Sequence, residues 1–205
     1  MDKPTIDRGT RQARSMATQF TTREDENNEK RIEGYFIVFN SNYDMGDGMS
    51  ESVDPHALDD TISGDIRALI NHDTTLVIGR TTARTLELRI DAHGVWGSVL
   101  INPNDQDALN IYARVQRGDV TQCSFGFDIL DEEYTISDNG DIHWTIKAVK
   151  LYEVSVCTFP AYEQTNVDAR NAQKLDIMAR QLNVWRDNMR GKIDGIKNSY
   201  AASQN

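Results

Sequence analysis

Hydrophobic and polar positions along the chain alternate between two kinds of pattern. From Arg31 to Asn40, RIEGYFIVFN is β-branched and aromatic, the composition of a strand covered on both faces. IRALINH, TLVIGRTT and TLELRI read as further strands, and VWGSVLI follows after the turn DAHG, a spacing that predicts an antiparallel sheet. TQCSFGFDIL, HWTIKAVKL and YEVSVCTF return to strand composition, with SDNGD as the hairpin turn between the first two. Residues 105–117 follow a different period: Ala108, Ile111, Tyr112 and Val115 recur at helical spacing, with acids in the first turn and Gly118 after the last. Beyond Pro160, Leu175, Met178, Leu182, Trp185 and Met189 mark one face of a helix predicted from about Ala172 to Arg190.

The remaining segments are polar. Residues 1–12 lack periodicity and 21–30 (TTREDENNEK) are almost wholly charged or amide, so the first reads as a flexible tail and the second as a loop. SNYDMGDGMSES is turn chemistry, PHALDDTIS reads as a short helix closed by Gly64, and KNSYAASQN reads as a disordered end. The expected organisation is a tail over 1–12, one mostly β domain with an inserted helix over 13–170, and an amphipathic helix with its tail over 171–205.

A length of 205 residues suits one well-buried domain, while a mean hydropathy of −0.58 leaves stretches too polar to bury. The net charge of −10 disfavours nucleic acid and anionic membrane as partners. No apolar run approaches the roughly 20 residues of a membrane span, and the N-terminus lacks the apolar core of a secretory signal, so a cytoplasmic protein is expected. Cys123 and Cys157 have neither disulfide-framework nor zinc-ligand spacing, and are expected as reduced thiols in strands. NPNDQD resembles a calcium loop but lacks its central glycine and closing glutamate, which makes helix capping the better reading. No metal or cofactor is expected.

Hydrolysis by a serine needs a base within reach of the hydroxyl and a third group to orient that base. Of the four histidines, His93 and His143 lie in or beside turns and His56 opens a polar segment, so a solvated role suits all three. His72 ends the apolar run IRALI, where a strand at the core's edge would hold the ring. Ser124 lies within CSFGF, either as a nucleophile or as a buried serine satisfied by its neighbour strand, and Cys123 should point away from it. Glu153, between Tyr152 and Val154 in an apolar strand, must face solvent or be paired, for instance with a histidine. Asp73 is the rival orienting acid, but beside His72 it needs a turn to reach the same ring.

Five blocks in order, RIEGYFIVFN, PHAL, LINHD with IGRT and TLEL, RGDVTQCSFGF, and LYEVSVCTFPAYEQT, resemble the prohead serine protease family of tailed bacteriophages over roughly residues 14–170. DPHAL, Ala83-Arg84 and Lys147 depart from the family's usual residues. The resemblance implies His72 and Ser124 as catalytic pair with Glu153 as third member. It also implies a compact antiparallel β-barrel with peripheral helices, like that of the related herpesvirus assemblins. The implied task is cleavage of the major capsid protein, scaffold segments and the protease's own termini inside the procapsid, within the host cytoplasm. The C-terminal helix would serve self-association, docking or removal. Two rivals predict otherwise: an inactive capsid-assembly scaffold with a protease-like fold, and a β-sheet binding module in which the three residues lie far apart.

Overall fold

The computed structural model describes residues 12–159 and 164–202. Among the described residues, eleven strands and one helix, α1, form a compact unit within Asp7–Glu163, and a long second helix, α2 (Gln164–Ala202), belongs to another unit. The expected tail falls almost entirely outside the described residues.

The larger sheet is built around a long hairpin, β10 (Gln122–Ile136) and β11 (Ile142–Cys157), closed at Ser137–Asp141 with Gly140 at φ 88°. β1 (Gln12–Ala17) lies antiparallel on the outer edge of β10. On its other side β11 pairs in parallel first with β5 (Met49–Val53) and further along with β6 (Arg67–Ile70). β4 (Tyr43–Gly46) extends β5, and β7 (Asp73–Arg80) extends β6. The smaller sheet, β2 (Thr21–Glu24), β3 (Lys30–Val38), β9 (Gly94–Leu100) and β8 (Leu86–Ile90), is antiparallel throughout. Phe36, Phe125, Phe127, Leu69 and Trp144 are fully buried in the core, and the Cys123 thiol of one sheet reaches the Phe36 carbonyl of the other.

α1 (Gln106–Arg117) forms where the periodicity placed it. The Asp105 side chain accepts from the Asp107 and Ala108 amides, Gly118 closes the helix at φ 85°, and the predicted apolar positions are buried. Asn102 caps its own turn, so NPNDQD is a capping segment.

Several expectations change. Among the described residues no strand pairing joins the two sheets, so no closed barrel is formed, and β11 makes parallel pairs with β5 and β6 because the turn-rich stretch 54–66 returns the chain in the same direction. Thr21–Glu24 is a strand, because its backbone completes the edge of β3 while its polar side chains stay in solvent. PHALDDTIS makes hydrogen-bonded turns rather than a helix. α2 begins at Gln164 and continues through Ala202, across most of the end expected to be disordered, and exposes Leu175, Met178, Leu182 and Trp185.

Candidate active site

The β6–β7 connection is a two-residue turn, with Ile70 paired to Asp73 and both central residues left-handed, Asn71 at φ 51° and His72 at φ 61°. Two positive φ values match the right-handed twist of the flanking strands, and asparagine tolerates the first at low cost. A histidine at the second is unusual, and such residues persist only where their surroundings hold them. Here β11 does so. The Asn71 amide donates to the Val156 carbonyl at 3.1 Å, and its side-chain oxygen accepts from the Thr158 amide at 2.9 Å. The His72 amide donates to Ser155 Oγ at 3.2 Å. His72 therefore sits in a fastened turn rather than at a strand end.

Glu153 reaches the same place from β11. Its neighbours pair as Gly126 with Glu153 and Phe127 with Leu151, which leaves Tyr152 as an extra residue. That bulge turns Glu153 to the face opposite Leu151, away from the aromatic core. The carboxylate is 4% exposed, and it is fully engaged: Oε1 meets His72 Nδ1 at 2.6 Å and Oε2 accepts from Ser155 Oγ at 2.6 Å. Asp73 does not compete, because its Oδ1 accepts from the Thr75 amide and hydroxyl.

Ser124 pairs directly across from Ser155 on β11 and from Ser15 on β1, so its side chain shares their face with Glu153. It is fully buried, and its hydroxyl donates to the Arg14 carbonyl at 2.9 Å. His72 Nε2 has no hydrogen-bond partner among the described residues. A small cleft of about 100 Å³ opens between His72, Glu153 and Gly126 on one side and Gln12 and Ala13 on the other.

Burial acts to lower the His72 pKa, but Cys157 and Glu153 outweigh it and hold the imidazolium up to about 10. Cys157 acts on the ring from nearby without a hydrogen bond of good geometry to Nε2. The pairing of Glu153 through Nδ1 leaves Nε2 as the ring nitrogen open to a further hydrogen bond.

The sequence model of the caudovirus prohead serine proteases matches residues 18–181. The chain belongs to that family. Among relatives of these prohead proteases, the prohead protease of Enterobacteria phage HK97 is 33% identical over 142 residues, 67% of this chain. The match spans 59% of that relative's length. The solved structure of the bacteriophage T4 capsid assembly protease covers 72% of this chain and is itself 96% covered, at 10% identity and a TM-score of 0.47, too remote to carry an argument.

Of the other histidines, His56 is exposed beside Asp59, His93 packs edge-on against Tyr35, and His143 lies between the Ser50 and Ser52 hydroxyls at 2.9 Å each. No cluster of three or more metal-binding side chains occurs among the described residues. Sequence reasoning did not find Ser155, the anchoring of the turn by Asn71 or the influence of Cys157 on the ring. Strand period carried a signal for two of these, since Glu153, Ser155 and Cys157 alternate onto one face.

Proposed function

We propose that this prohead protease family member is a serine endopeptidase, with Ser124 as nucleophile, His72 as general base and Glu153 as the acid that orients the base. The observation that carries this reading is the 2.6 Å bond from Glu153 Oε1 to His72 Nδ1, beside an unpartnered Nε2 and on the face that bears Ser124. In the resting arrangement the Ser124 proton is given to a backbone carbonyl, so a side-chain rotation is needed to present the hydroxyl to Nε2. Ser124 Oγ then attacks the scissile carbonyl carbon while its proton passes to Nε2. The imidazolium, stabilised by Glu153, returns the proton to the departing amine, and water cleaves the acyl-enzyme by the same route reversed. Because the base must be neutral, cleavage of a short peptide rises with pH through the raised His72 pKa.

The substrates that fit are the major capsid protein, scaffold segments and the chain's own ends, cut inside the procapsid in the host cytoplasm. The strand-rich unit that ends at Glu163 would form the catalytic domain, and the helix from Gln164 would be open to self-association. The two-sheet body would be an open relative of the herpesvirus protease barrel. The test is co-expression of wild type and Ser124→Ala with the phage's major capsid protein, read by intact-protein mass spectrometry. Truncated products that vanish in the variant support the reading. Identical full-length products in assembled shells from both would favour an inactive scaffold.

A further inference from the structure

Gly126 carries no side chain at the one place on β10 that faces Glu153. A β-carbon built there would overlap Glu153 Oε1, the oxygen bonded to His72, and would stand 3.0 Å from Cδ and 3.2 Å from Cγ of the same side chain. The backbone at Gly126 is not left-handed, so its conformation does not require glycine. What requires it is the carboxylate lying flat across the strand. Opposite this slot, Ser155 does two things at once: its hydroxyl donates to Glu153 Oε2 at 2.6 Å and accepts the His72 amide at 3.2 Å.

We infer that Gly126 and Ser155 are positioning residues of the active site, the glycine as a slot that admits the Glu153 carboxylate to His72 and the serine as a clamp that ties that carboxylate to the turn bearing the imidazole. The inference rests on the catalytic reading above. Without the slot, Oε1 must swing away, and the ring loses the partner that fixes its tautomer and supports its charge. The groups that act on the ring are Glu153 and Cys157, both from β11. Gln12, Ala13, Leu69, Thr74 and Gly126, which line the same cleft, bring no charge.

The test has two readouts on the full chain. The first is the rate at which a fluorophosphonate probe labels Ser124 across pH 5–10. The second is the titration of the His72 ring by NMR, its signal assigned by comparison with His72→Gln. Gly126→Ala is expected to fold with a melting temperature near wild type, to label about 10- to 1,000-fold more slowly, and to titrate His72 closer to an ordinary imidazole. Ser155→Ala should lie between it and wild type, and Ser155→Thr should restore most of the rate. An unchanged His72 titration in Gly126→Ala, with labelling at the wild-type rate, would overturn the inference while Ser124→Ala still abolished labelling. Persistent labelling of Ser124→Ala would instead overturn the catalytic reading, and the NMR titration would still decide the slot.

Discussion

Two glutamates of the larger sheet are equally hidden and differently used. Glu51 on β5 is 1% exposed, and both of its oxygens take the guanidinium of Arg14, which arrives from β1 across the aromatic face. Glu153 is 4% exposed, and its partners are an imidazole and a hydroxyl. A guanidinium keeps its charge at any ordinary pH, so the first pair is fixed and serves to tie the edge strand down. An imidazole can give up its proton, so the second pair holds a charge that can be moved. Burial makes both carboxylates costly, and the identity of the partner decides whether that cost supports structure or chemistry.

This contrast breaks most sharply at Glu153. Glu153→Gln should slow turnover by about a hundred- to ten-thousand-fold at little cost in melting temperature, measured on a short peptide. Glu51→Gln should do the reverse. Removal of one member of a buried pair costs about 3–5 kcal/mol, so denaturant unfolding should show a large loss while turnover per folded molecule stays within a few-fold.

The pH dependence of stability sharpens the same distinction. His72 binds its proton more tightly in the folded chain, with a pKa of about 10, than in the unfolded chain at about 6.5. Its contribution is therefore complete below pH 6.5 and is lost as pH rises toward 10. Chemical denaturation in that window should show stability falling in wild type and a shallower fall in Glu153→Gln, whereas Glu51→Gln should keep the wild-type slope. The smallest effect belongs to Cys157→Val. Loss of the neighbouring sulfur should lower the apparent pKa of the pH–rate profile modestly and change the plateau rate by no more than a few-fold.

The residues left Glu153, amid Tyr152, Val154 and Val156, either facing solvent or paired, and the structure shows it buried against His72. α1 and the turns at DAHG and SDNGD were legible, since periodicity, caps and glycines are local signals. β1 and β2 were not. QARSMA and TTRE carry no alternating apolar pattern, and they are strands because β10 and β3 present unpaired backbone edges to them. The turn that bears His72 escaped for a related reason: Asn-His does not announce a left-handed pair, and its conformation is secured by β11, some 80 positions later in the chain. Local sequence could single out His72, Ser124 and Glu153, but not Gly126 and Ser155, whose contacts with Glu153 and His72 exist only across strands.

The tightness of that turn bears on how the family can vary. A loop of two residues has no slack, so an inserted residue cannot be absorbed as it would be in a longer connection; it would rotate the imidazole off the face it shares with Glu153. Changes of length should instead be absorbed by longer loops such as 54–66, and not by the hairpin over 67–80. In a library that scans insertions along the chain, the stretch Ile70–Asp73 should stand out as a gap, intolerant of length and yet open to change in the exposed threonines that follow it.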